Sequence, residues 1–119
     1  MYNVKVESSF SSAHNLRHYK GKCEELHGHN WRVELTATHD KLDKAGMALD
    51  FKYLKMKLNG VLEKLDHKYL NSIPYFRKVN PTSENIAKYI YDRVKKSGII
   101  RIKSVTVWEN TTSSATYEE

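Results

Sequence analysis

His27 and His29, separated by one residue, are the side chains of this sequence best placed to do chemistry. On an extended chain, side chains at i and i+2 point to the same side, so both imidazoles reach one ion. Gly28 between them removes a side chain and allows close backbone approach. His14 closes an earlier alternating run, in phase with Val4, Val6 and Phe10. If the two runs pair as a hairpin, three imidazoles converge. Three histidines with a vacant fourth position form a donor set of catalytic zinc, and the vacancy lets the ion polarise a substrate oxygen. The plain alternative is a chance histidine pair on an exposed strand. The phase of His14 and a nearby thiol favour the metal.

That thiol is Cys23, the only cysteine, in a polar loop between Lys22 and Glu24. A thiol beside a cation gives up its proton readily and can serve as a base. Its other ordinary use, as a small buried hydrophobe, fits poorly with such polar neighbours. Asp66 and His67 form an acid–imidazole pair that can orient the ring and stabilise its charged form, or simply end a helix on its solvated face. Glu109 shares the parity of Val105 and Val107 and so points inward. A buried carboxylate needs a partner: either a guanidine-like edge with two parallel N–H donors or one of the many lysines. His18 and His39 lie in polar contexts and read as surface residues.

The elements that must hold these groups follow from periodicity. Residues 2–14 alternate as a strand, 15–26 form a polar loop containing Gly21, and 27–38 alternate again, with His27, His29, Trp31, Val33, Leu35 and Ala37 on one face. From Phe51 the period becomes helical through Leu54, Leu58, Val61, Leu62, Leu65 and Tyr69, with Asp50 as the cap. This places Asp66 and His67 at the helix end. Pro74 and Pro81 bracket a loop. A second helix starts at Thr82 or Ser83, buries Ile86, Tyr89, Ile90 and Val94, and stops at Gly98. Residues 99–110 give a third strand, 111–114 a turn and 115–118 a short fourth strand. The order ββααββ predicts an α+β fold with an antiparallel sheet packed on two helices. Its open edges need cover, which further copies of the chain can supply.

Composition bounds the remaining choices. The 119 residues suit one domain spanning 1–119, with 39% hydrophobic and 29% charged residues. No apolar run approaches the roughly 20 residues of a membrane helix, and no secretory leader is visible, so a membrane partner is not expected. A single cysteine permits no intrachain disulfide and points to a reducing cytoplasmic setting. The net charge of +6 comes from scattered lysines. It suits an anionic small substrate better than nucleic acid, because clustered arginines and an aromatic–basic stripe are lacking. A zinc-stabilised protein binding nucleic acid through its basic surface is the rival reading from another class.

Six segments in order, FSSAHNL (10–16), CEELHGHNW (23–31), ALDF (48–51), LDHKYLN (65–71), NPTSENIA (80–87) and VTVWEN (105–110), resemble the 6-pyruvoyl-tetrahydropterin synthase family over nearly the whole chain. The spacing of Cys23 from His27-Gly28-His29 is similar to the family's carboxy-forming branch. The resemblance implies the tunnelling fold, whose ββααββ subunits assemble into barrels, commonly a homo-hexamer built from two trimers, with active sites between subunits. It implies a zinc-dependent lyase acting on 7,8-dihydroneopterin triphosphate, giving a 6-carboxytetrahydropterin, acetaldehyde and triphosphate on the route to 7-deazaguanine bases such as queuosine. It matches His14, His27 and His29 to the zinc ligands, Cys23 to the proton acceptor and Asp66 with His67 to a relay across the substrate. Glu109 matches the carboxylate gripping the pterin's guanidine-like edge, and Thr82 and Ser83 match the loop that also holds the pterin. The rival within the family is formation of the pyruvoyl product from the same substrate.

Overall fold

A computed structural model describes residues 1–21, 25–99 and 101–119. Two thirteen-residue strands, β1 (Tyr2–His14) and β2 (His27–His39), pair antiparallel in unbroken register from Tyr2 opposite His39 to His14 opposite His27. Alternation sends one parity inward. Val6, Phe10, Ser12 and His14 of β1 are buried, as are Trp31, Val33, Leu35 and Ala37 of β2. The hairpin therefore carries apolar side chains along most of its inner face and imidazoles at the end where the loop joins its two strands.

Helix α1 (Phe51–Leu62) starts at Asp50, whose carboxylate accepts from the Lys52 N–H at 2.9 Å. It buries Leu54, Leu58, Val61 and Leu62 on one face. It stops earlier than its period predicts. Leu65 is buried from the following turn, and Tyr69 is exposed in β3 (Lys68–Tyr69), a two-residue strand running parallel to β1 at Ser12 and Ala13. Asp66 and His67 thus belong to that turn, not to the helix. The expected loop between the prolines contains α2 (Pro74–Lys78), which Pro74 opens; the missing N–H costs nothing in a first helical turn.

Helix α3 (Ser83–Lys96) is capped by Thr82, whose hydroxyl accepts from the Asn85 N–H, and is followed by Gly98 at φ 116°. Strands β4 (Ile102–Trp108) and β5 (Ser114–Glu118) complete a sheet of order β3-β1-β2-β4-β5. The plan is α+β, as expected. The sheet is mixed because β3 is parallel; the four longer strands are antiparallel. Ile86, Ala87, Ile90 and Val94 of α3 join the α1 leucines and the inward residues of β1, β2 and β4 in one apolar core.

Candidate metal centre

His14 and His27 are directly opposite in the β1–β2 ladder, and His29 faces Ser12 two residues further in. Parity turns all three rings to the inner face, and their centroids lie 4.6, 4.7 and 5.3 Å apart. Trp31 forms the floor: its ring stands edge-on to His14 and His29, its Nε1–H donates to the Ser12 carbonyl at 3.2 Å, and Phe10 stacks behind it. This aromatic floor stops the imidazoles from collapsing into the core and fixes their tilt.

Two backbone carbonyls set the protonation pattern. His14 Nδ1 lies 2.8 Å from the Pro81 carbonyl, and His27 Nδ1 lies 2.7 Å from that of Glu25. A carbonyl only accepts, so each Nδ1 carries the proton, and each neutral ring presents its lone pair at Nε2. Those two Nε2 atoms face each other at 3.0 Å. Two lone pairs at that distance repel unless a cation lies between them. His29 Nε2 is also buried and finds no hydrogen-bond partner among the described residues. Burial lowers the pKa of His14 and His29, outweighing the upward pull of Glu109 on both and of the Pro81 carbonyl on His14. The rings are thereby held in the neutral form that binds metals.

The fourth donor is Glu109. Its Oε1 lies 3.4 Å from His14 Nε2 and 3.3 Å from His29 Nε2. The inward parity expected from Val105 and Val107 is what the strand delivers, but the carboxylate reaches the histidines rather than a lysine. One donor atom from each of His14, His27, His29 and Glu109 falls within 4.8 Å of the others. The donor set, the facing lone pairs and the orphaned His29 nitrogen all fit a divalent cation.

The other expected site residues sit elsewhere. Asp66 Oδ1 accepts from the Ser11 N–H at 2.8 Å, and its other oxygen lies 2.9 Å from His67 Nδ1. The Ser11 N–H, then His67, hold this carboxyl below the usual range. His67 returns its own N–H to the Ser11 carbonyl and adopts φ 54°, leaving its ring 83% exposed. The pair hangs on the outer edge of β1 and does not join the histidine cluster. Thr82 and Ser83 open α3 directly after Pro81, and the Thr82 hydroxyl is engaged in the helix cap. Cys23 lies outside the described residues. Gly28 is not required on steric grounds: a Cβ there would meet nothing closer than the Ser12 carbonyl at 4.0 Å.

Sequence reasoning missed the supporting groups. The Pro81 and Glu25 carbonyls orient two rings through backbone atoms, which carry no residue-type signal. Asn80 brings Pro81 into place by accepting from the Arg17 N–H and donating to the Arg17 carbonyl, while Asn85 donates to the Asn80 carbonyl. The repeated asparagines around Pro81 were the available hint. Parity assigns Trp31 to the inner face, but its service as a floor emerges only from the fold.

Comparison with known proteins agrees with this architecture. Residues 3–119 match the family model described as 6-pyruvoyl tetrahydropterin synthase. The chain is 38% identical to the 6-carboxy-5,6,7,8-tetrahydropterin synthase of Synechocystis sp., over 98% of this chain and 93% of that protein. It is also 38% identical to a dihydroneopterin monophosphate aldolase of Pyrococcus furiosus, over 86% of this chain and 84% of that one. Among solved structures, the 6-pyruvoyl tetrahydropterin synthase of Caenorhabditis elegans superposes with a TM-score of 0.90 at 29% identity, covering 99% of this chain and 95% of that chain.

Proposed function

The chain belongs to the 6-pyruvoyl tetrahydropterin synthase family of lyases, and from that premise we propose that it converts 7,8-dihydroneopterin triphosphate to 6-carboxy-5,6,7,8-tetrahydropterin, acetaldehyde and triphosphate. The convergence of three imidazoles, two of which are turned by backbone carbonyls so that their Nε2 lone pairs face each other, is the observation that carries the proposal. His14, His27 and His29 hold zinc, which supplies Lewis acidity toward the hydroxyl-bearing side chain of the substrate. Cys23 accepts a proton from that side chain. Asp66 fixes the His67 ring, which shuttles protons at the opposite face. Glu109 receives the two parallel N–H donors of the pterin edge, and Thr82 and Ser83 line the same end.

Asp66 and His67 serve a site only if another copy of the chain brings that site to the β1 edge. A homo-oligomer, a hexamer built from two trimers, is therefore part of the reading. Each subunit acts as one domain spanning 1–119. The single cysteine suits a reducing cytoplasm. The product places the enzyme in 7-deazaguanine synthesis of the queuosine type.

The deciding experiment incubates zinc-loaded protein with 7,8-dihydroneopterin triphosphate and identifies the products. Acetaldehyde with a 6-carboxypterin is expected. A pyruvoyl product, or an aldolase product carrying no carboxylate, would reject the assignment. Cys23→Ala should keep its zinc and lose turnover by about 100-fold or more.

A further inference from the structure

The β1–β2 ladder ends with His14 opposite His27, and the chain beyond it needs new partners for its backbone. Two side-chain amides supply them. Asn71 accepts from the Asn15 N–H at 3.0 Å and donates to the Asn15 carbonyl at 2.9 Å. Asn80 treats Arg17 in the same way, accepting at 3.0 Å and donating at 2.9 Å. A primary amide offers a donor and an acceptor side by side, as a peptide group does, so each asparagine stands in for a residue of a neighbouring strand. With Asp66 and His67 on Ser11, and β3 beside Ser12 and Ala13, they fasten the outer edge of the chain from Ser11 to Arg17. Asn71 is buried, with 9% exposure, where an amide without these bonds would be costly.

Asn80 reaches further. Its own carbonyl accepts from Asn85 Nδ2 at 2.9 Å and from the Thr82 N–H at 2.8 Å, and the second bond closes a three-residue turn centred on Pro81. The proline ring fixes φ, so the turn aims the Pro81 carbonyl, which holds His14 Nδ1 at 2.8 Å. One residue thus fastens the chain leaving His14 and aims the group that orients the His14 ring. Resting on the functional reading above, we propose that Asn71 and Asn80 are positioning residues that set the metal affinity of the histidine centre, and that Asn80 also couples it to the pterin end at Thr82 and Ser83. A ligand whose strand end drifts loses its alignment on the ion, and partners that hold ligands in place are worth about 10–100-fold in metal affinity. The coupling is reciprocal: a pterin that steadies the start of α3 tightens the ion, and the ion tightens the pterin by the same factor. Among the described residues the Asn71 amide bonds only to Asn15, so it carries affinity without coupling.

The experiment measures zinc affinity by competition with a chromogenic chelator, with and without unsubstituted pterin, on protein whose folding is checked by circular dichroism. Unsubstituted pterin lacks the side chain that would touch the ion, so any coupling runs through the protein. Asn71→Leu and Asn80→Leu keep the outline of the side chain and lose both bonds; each should weaken zinc about tenfold or more. Asn71→Ser and Asn80→Ser, smaller and still polar, should do the same and replace a leucine variant that does not fold. Asn59→Ala, which removes the 2.5 Å hydrogen bond from Ser8 Oγ on the same strand, should leave zinc affinity unchanged. Pterin should tighten zinc about fivefold or more in wild type and in the Asn71 variants, and not in the Asn80 variants. The proposal is overturned if a folded Asn71 or Asn80 variant binds zinc like wild type, if Asn59→Ala weakens zinc as much as they do, or if pterin tightens zinc equally in wild type and the Asn80 variants. The two readings fail separately. Acetaldehyde release by wild type, with unchanged zinc affinity in the variants, keeps the lyase assignment and loses the positioning role. Weakened zinc in variants of a protein that forms no pterin product keeps the hold on the metal and loses the lyase assignment.

Discussion

At the scale of single residues, burial and two carbonyls do the work that sequence spacing only begins. His14 and His29 have lowered pKa values in the folded chain, chiefly through burial. Below the ordinary imidazole value of about 6.5 the unfolded chain therefore takes up protons that the folded chain resists. The metal-free protein should keep its stability above that pH and lose it steadily as pH falls from there toward the lowered folded values. Urea unfolding of the demetallated protein at pH 7.5 and 5.5 checks this; equal midpoints would contradict it. The ligand trio was legible in the sequence because parity is a local property and three residues of one phase announce a shared face. The placement of Glu109 against those rings was not legible. Parity gave its direction, but the choice between a lysine, a ligand edge and a metal depends on what the strand crossing delivers.

At the scale of elements, the turn after α1 is the place where pattern misled. Leu65 continues the apolar period of α1 and is fully buried, yet it reaches the core from outside the helix. Apolar period alone cannot tell a buried turn from another helical turn. The two-residue β3 is too short to alternate, and the brief α2 begins at a proline that reads equally well as a loop marker. What this turn accomplishes is a doubly hydrogen-bonded grip on Ser11, with His67 held in the left-handed region at φ 54°. Asparagine tolerates that conformation better than most residues. His67→Asn should therefore leave the thermal midpoint nearly unchanged while lowering turnover about 100-fold or more, the loss expected for an acid–base group. A large fall in the melting temperature would mark His67 as a structural residue instead.

At the scale of the whole molecule, the subunit is long for its size. It extends 53 × 25 × 22 Å, and its radius of gyration of 15.1 Å exceeds the roughly 13–14 Å of a compact chain this long. The hairpin of two thirteen-residue strands is responsible, and among the described residues the outer edge of β1 is paired only at Ser12 and Ala13. The Ser11 N–H points outward to Asp66, so Glu7, of the same parity, presents its N–H to that open edge. Proline there removes one outward donor and leaves the β1–β2 ladder intact. If the proposed homo-oligomer pairs along this edge, Glu7→Pro should dissociate it in light scattering while the separated subunit keeps its circular dichroism; an undisturbed oligomer would place the interface elsewhere. Open edges follow from the strand count alone, but how much of one long strand lies bare does not. The donor cluster has a consequence at this scale too. His14, His27, His29 and Glu109 come from β1, β2 and the segment after β4, and His14 is tied through Pro81 to the approach to α3. In a chain with a lone cysteine, an ion there cross-links strands far apart in sequence, acting as the clasp that a disulfide provides in other small proteins.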